Sequence, residues 1–255
     1  MFRKHKGKTI FTLITIGLQI ANNMKKMLFI LTLFSFTYQQ KVKPKSSKFS
    51  QPCVYEEKMR EQSLVNIQEI DADILVELKY STIDNFVGKD LYGCLTYCYL
   101  QKKPAQMLSK ANDLLMQNNP NYRLLVYDGG RPLSIQKILW NSLSQYSPKQ
   151  RATYVANPAQ GSIHNYGSAV DLTIATKNGT PLDMGTKYDF FGELAYPKKE
   201  AYFLKIGKLT KQQIANRQLL RFVMKSSGFM PIDYEWWHFN AVSRRTAKSI
   251  YKIIQ

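Results

Sequence analysis

Three histidines occur in the chain, His5, His164 and His238. The last two stand in company that could do metal chemistry. His164 lies in Ser162-Ile163-His164-Asn165-Tyr166-Gly167-Ser168-Ala169-Val170-Asp171, and His238 in Glu235-Trp236-Trp237-His238-Phe239. Two imidazoles and a carboxylate (His164, Asp171 and His238) make a three-ligand zinc site with a fourth position open to water. Glu235, three residues before His238, is the natural proton acceptor beside such a site. A carboxylate next to the metal but not bound to it can take the proton of an activated water. Trp236, Trp237 and Phe239 would dry the surroundings and strengthen the local field. The spacing is not that of the common H-E-x-x-H motif.

Those side chains need a frame. His164 is expected on a loop, with Gly167 letting the backbone turn, and Asp171 on a strand over 169–174. Val170, Leu172 and Ile174 then face the core, and Asp171 and Thr173 the other side. A strand over 233–240 would send Glu235 and His238 to opposite faces, so a bend or bulge is required there. Further strands are expected over 74–80 and 122–127. Helices are expected over 105–117 behind Pro104, from Pro132 to about 146, over 211–227 with Gly228 just past its end, and over 244–254. Asn178-Gly179 reads as a turn. Strands and helices mix without regular alternation, and no Gly-rich phosphate loop follows a strand. The fold class is therefore α+β, a single domain with a central antiparallel sheet flanked by helices.

The formal charge of the 255-residue chain is +18. Ten Lys/Arg fall within residues 1–55, where no Asp or Glu occurs, and the remainder carries only +8. That distribution argues against a nucleic-acid partner. Residues 27–36, MLFILTLFSF behind Lys25 and Lys26, have the shape of a secretory signal and are too short to span a bilayer. Residues 1–38 are read as a leader whose true start is Met24, 39–53 as a polar linker and 54–255 as the catalytic domain. The protein is expected to be exported, periplasmic or extracellular, with no stable membrane insertion once the leader is removed. Cys94 and Cys98 could pair in such a compartment, leaving Cys53 over, or all three could stay thiols.

The pattern S-x-H-x-x-G-x-A-x-D followed by E-x-x-H resembles the zinc D-Ala-D-Ala metallopeptidases, which share a fold with the hedgehog N-terminal domain. The E-W-W-H-F form is similar to the D-alanyl-D-alanine dipeptidase branch. Four further blocks agree, in order: Lys79-Tyr80-Ser81-Thr82 through Lys89, Asp128-Gly129-Gly130-Arg131-Pro132, Asp183-Met184-Gly185-Thr186-Lys187-Tyr188-Asp189, and Ser226-Ser227-Gly228-Phe229. The resemblance spans residues 66–254. It implies one zinc per chain on His164, Asp171 and His238, with Glu235 as catalytic base and Arg131 as the cation that stabilises the transition state. It also implies Asp189 as the carboxylate for the substrate ammonium, with Tyr80 and Ser162 lining a small pocket. Ile163 departs from the polar residue found there in some members, which bears on how the substrate carboxylate is held. The expected activity is hydrolysis of the small dipeptide D-Ala-D-Ala. The rivals are a D,D-carboxypeptidase or other wall peptidase on the same fold, and a zinc-bearing wall-binding module without turnover. Nothing in the sequence signals an oligomeric state.

Overall fold

The computed structural model describes residues 53–255. The leader and all of the linker before Cys53 lie outside the described residues. Helix α1 (Val54–Glu61) leads into strand β1 (Leu64–Asn66), the one-turn helix α2 (Ile67–Ile70) and the short strand β2 (Leu75–Val76). Then come β3 (Tyr99–Gln101), α3 (Lys102–Asn118), β4 (Tyr122–Asp128), α4 (Leu133–Ser142) and α5 (Pro148–Tyr154). Strand β5 (Ala169–Thr176) is followed by α6 (Glu200–Lys205), α7 (Lys211–Ser226), β6 (Met230–Pro231), β7 (His238–Asn240) and α8 (Arg244–Ile250).

The main sheet has the order β2-β4-β5-β7-β6, antiparallel except for the parallel pair β2–β4. Strands β1 and β3 form a separate antiparallel ribbon. The class is α+β, as the mixture of elements implied. One face of the sheet (Leu124, Val126, Val170, Leu172, Ile174 and Phe239) packs into the large core. Helix α3 contributes Ala105, Leu108, Ala111 and Leu115 to that core, and α7 contributes Leu220, Val223 and Met224. Their i, i+3, i+4, i+7 spacing makes the apolar stripe that holds both helices there. Strand β5 sits in the middle of the sheet and is buried on both faces. The other side, which carries Asp171 and Thr173, is as closed as the apolar one.

Several boundaries differ from the sequence reading for physical reasons. Residues 74–80 form only the two-residue β2 and then a 3-10 turn over Lys79–Ser81, because Tyr80 buries its ring instead of continuing the pleat. Helix α4 stops at Ser142, and a separate α5, opened by a Ser147/Gln150 capping box and Pro148, was not foreseen. Strand β7 keeps only the last three residues of 233–240, so Glu235 lies in irregular chain. That supplies the bend the Glu235–His238 spacing required. Helix α8 ends at Ile250. The cysteine pairing is also corrected: Cys53 bonds Cys94 and ties the start of α1 to the segment before β3, while Cys98 is a buried free thiol.

Candidate active site

Register sets the first half of the site. In the β5–β7 ladder Asp171 lies directly opposite His238. Cross-strand partners share a face, so carboxylate and imidazole are neighbours by construction, and a one-residue slip would put them on opposite faces. His238 Nδ1 is 2.9 Å from Asp171 Oδ1. His164 arrives from the other side on a 3-10 turn over Ile163–Tyr166. Ser162 caps that turn, its Oγ accepting the His164 N–H, and Gly167 closes it in the left-handed region at φ 62°. His164 Nε2 then stands 3.2 Å from His238 Nδ1 and 3.4 Å from Asp171 Oδ1.

These three atoms form a nearly equilateral triangle. Ligand bonds of about 2.0–2.1 Å at tetrahedral angles separate donors by about 3.3 Å, so the triangle has the size of one face of a zinc tetrahedron. The ring tautomers agree with that use. His164 Nδ1 donates to the Gly129 carbonyl at 2.7 Å, which leaves Nε2 as the free lone pair. His238 Nε2 donates to Asn240 Oδ1 at 2.9 Å, which leaves Nδ1 free. Asp171 points Oδ1 at the two imidazoles, while Oδ2 accepts the Tyr188 hydroxyl at 3.0 Å. Orientation of each ligand by a second hydrogen bond is how protein metal sites fix geometry and ligand basicity. Burial opposes ionisation of Asp171, but the two imidazoles win and hold it well below the usual carboxylate range.

A family model described as D-Ala-D-Ala dipeptidase matches residues 60–255. The chain belongs to this family. The D-alanyl-D-alanine dipeptidase of Escherichia coli K12 is 34% identical over 176 residues, 69% of this chain and 83% of that protein. The enzyme of the same name from Enterococcus faecium is 30% identical over 187 residues, 68% of this chain and 88% of that one. Among solved structures, the LD-carboxypeptidase LdcB overlaps at a TM-score of 0.37 and 22% identity, covering 60% of this chain and 63% of that chain, too loosely to carry weight. The protein is thus a hydrolytic enzyme of a metal-dependent peptidase family, and its donor triangle fits a metal ion.

All eight residues singled out in the sequence line one cleft of about 320 Å³: Tyr80, Arg131, Ser162, His164, Asp171, Asp189, Glu235 and His238. That volume is at the small end of the range for small-molecule sites, roughly 300–1,000 Å³. Glu235 Oε2 lies 3.8 Å from His238 Nδ1, beside the triangle. Burial pushes its carboxyl up to about 8, against the pull of His238. Asp189 is likewise pushed up to about 8 by burial and by the Asp171 carboxylate. It sits at φ 57°, a left-handed conformation uncommon for a non-glycine residue, and the Tyr80 hydroxyl donates to its Oδ2 at 2.9 Å. Of the aromatic trio, Trp237 lines the cleft and Phe239 lies in the core, while Trp236 faces a neighbouring cavity and donates to Thr186 Oγ1 at 2.7 Å.

The residues that hold Arg131 were missed in the sequence. Its Nε and Nη2 both donate to Asp128 Oδ2, at 2.8 and 2.5 Å, and Nη1 donates to Gln136 Oε1 at 2.9 Å. Tyr92 in turn donates to Asp128 Oδ1 at 2.6 Å. The guanidinium also lies over the Tyr80 ring, 5.3 Å from its centre. A bulge does the aiming. Along β4 the register jumps from Val126 opposite Leu172 to Asp128 opposite Asp171, so one extra residue, Tyr127, is accommodated. Without it, Tyr127 would face Asp171. The signals were available in part: Asp128 and Arg131 stand three apart in one block, and Asn240 stands two after His238, on the same strand face.

Proposed function

We propose that the protein hydrolyses D-Ala-D-Ala to two D-alanines at a zinc ion held by His164 Nε2, Asp171 Oδ1 and His238 Nδ1. The observation that carries this reading is the donor triangle with Glu235 beside it, in a chain of the D-Ala-D-Ala dipeptidase family. Two imidazoles and one carboxylate at tetrahedral spacing suit zinc among the common divalent ions. When bound, zinc supplies Lewis-acid polarisation of a carbonyl oxygen and lowers the pKa of a water.

The chain's own residues supply the rest. Glu235 takes the proton of the attacking water and later delivers it to the departing amine. Its raised affinity for protons suits both tasks, since it must hold the proton between them. Arg131 keeps its charge in the dry cleft and stabilises the developing oxyanion, where a fixed guanidinium is worth more than in water. Asp189, held by Tyr80, takes the substrate ammonium, and an incoming cation restores the ionised form that burial disfavours. Ser162 shapes the wall by capping the turn that presents His164. A carboxypeptidase acting on longer wall peptides has no use for an ammonium-binding carboxylate at this place, which favours the dipeptide over the longer substrates. Export is part of the proposal: the Cys53–Cys94 disulfide suits an oxidising compartment outside the cytoplasm.

The test is alanine release from D-Ala-D-Ala, its L,L isomer and N-acetyl-D-Ala-D-Ala, with metal content measured in parallel. Glu235→Gln should keep its zinc and lose turnover by at least about 100-fold. Activity retained in that variant would overturn the base assignment. Preference for the acetylated substrate would favour the carboxypeptidase reading.

A further inference from the structure

A dipeptide is a zwitterion, and only half of its charge has been accounted for. The cleft presents three carboxylates, Asp171, Asp189 and Glu235, and two cations, Arg131 and Arg244. Arg131 is committed: Asp128 takes two of its nitrogens and Gln136 the third. Arg244 makes no hydrogen bond or ion pair with any other described residue and is exposed to solvent at the cleft wall. It is the first residue of α8, four residues after the end of β7, which carries His238. That helix packs against the 3-10 turn that carries His164. Arg244 is therefore tied to the elements of both histidine ligands. A cation in the first turn of a helix opposes the helix dipole, so it does not stand there for the helix's sake.

Resting on the dipeptidase reading above, we propose that Arg244 binds the C-terminal carboxylate of the substrate. Ile163 puts no polar side chain between Ser162 and His164, Ser162 is neutral with its Oγ accepting the His164 N–H, and Arg244 is the one uncommitted cation among the described residues lining the cleft. Asp189 and Arg244 then read the two ends of the zwitterion with opposite charges. A guanidinium matches a carboxylate in a fork of two parallel hydrogen bonds, an arrangement an ammonium cannot reproduce.

The experiment compares D-Ala-D-Ala with its C-terminal amide on wild type, Arg244→Gln and Arg244→Lys, all zinc-loaded. A charge-assisted hydrogen bond contributes about 1.5–3 kcal/mol, so Arg244→Gln should raise KM for the free acid about 10- to 100-fold with kcat little changed. Wild type should discriminate against the amide by a similar factor. Arg244→Gln should lose that discrimination, and Arg244→Lys should recover part of it. An unchanged KM in an active Arg244→Gln protein, or an equal loss on acid and amide, overturns the assignment of Arg244 alone. Wild type that releases no alanine from D-Ala-D-Ala removes the dipeptidase reading and this inference together.

Discussion

Asp128 touches no expected ligand atom, yet the structure gives it control of the cleft's buried cation. Its Oδ2 accepts two hydrogen bonds from Arg131, and its Oδ1 accepts one from Tyr92. Asp128 is fully buried and the Arg131 side chain is only 8% exposed, so neither charge is offset by water. Asp128→Ala leaves a guanidinium with Gln136 at 2.9 Å and Asp171 Oδ2 at 3.5 Å as its remaining polar neighbours. Breaking a buried pair from one side costs about 3–5 kcal/mol, and those two neighbours put the expectation at the lower end, about 3 kcal/mol. Asp128→Asn is gentler. Its carbonyl can face Arg131 while its amide donates to the Tyr92 oxygen, so geometry survives and only charge is lost. Arg131 keeps its charge but its two bonds lose a charged acceptor, a loss of about 1 kcal/mol each and about 2 kcal/mol together. For a domain of this size each kcal/mol lowers Tm by about 2–4 °C, which gives about 4–8 °C for Asn and about 6–12 °C for Ala. Urea unfolding followed by tryptophan fluorescence reads the same order. In the Ala variant kcat should fall about 10- to 100-fold with zinc content unchanged, because Arg131 is freed to turn toward Asp171. Both variants unfolding within about 0.5 kcal/mol of wild type, the range of an ordinary surface substitution, would refute the clamp.

Two other expectations follow from the same charges and cross-links. Asp189, raised by burial first and then by Asp171 and Asp128 against the pull of Tyr80 and Arg131, holds its proton up to about 8 in the folded chain, against about 3.9 when unfolded. The native state then binds more protons between those values, so this group's contribution to stability falls as pH rises from about 4 to about 8. Asp189→Asn, which tolerates the left-handed backbone, should stabilise the metal-free protein more at pH 8 than at pH 5; a difference in Tm that stays flat with pH refutes this. The Cys53–Cys94 bond closes a loop of 41 residues, for which the chain-entropy relation gives about 4 kcal/mol as a ceiling. Urea midpoints with and without reductant measure it, and identical midpoints would show that the bond contributes nothing.

How much was legible depended on which interaction did the placing. His164, Asp171, His238 and Glu235 stand out by residue type and short spacing, whereas Arg131 and Asp189 enter only through the family resemblance; all six line one cleft. Helices α3 and α7 could be read because their apolar stripes repeat along the chain. The alternating pattern over 74–80 reads as a strand ending at Tyr80, and the structure breaks it at Val76. The Tyr80 ring is buried between Phe86, Tyr92 and Tyr188, and tertiary packing of that kind overrides a local alternating pattern. The pairing of Cys53 with Cys94, forty-one residues apart, lost in the sequence to the nearer Cys98 because spacing says nothing about which thiols the fold brings together. The bulge at Tyr127 leaves no mark in the sequence, since it exists only as a mismatch between two strands.

Gly129 and Gly130 show why the site is more than a set of side chains. A Cβ on Gly130 would stand 2.7 Å from the Tyr99 carbonyl oxygen, which accepts the Gly130 N–H at 2.8 Å. Only a bare backbone can come that close, and the approach is what brings the next residues against the His164 turn. There the Gly129 carbonyl accepts from the His164 ring, the Arg131 N–H donates to the His164 carbonyl at 3.0 Å, and the Asn165 amide donates to the Arg131 carbonyl at 2.8 Å. Three hydrogen bonds, all involving main-chain atoms, thus lock the segment bearing the cleft's buried cation to the turn bearing His164. In the proposed mechanism the two charges that act on one oxygen then move as one body, so little reorganisation is left for the moment of reaction. A substitution at Gly130 should consequently disturb Arg131 and His164 together, although its own side chain would touch neither.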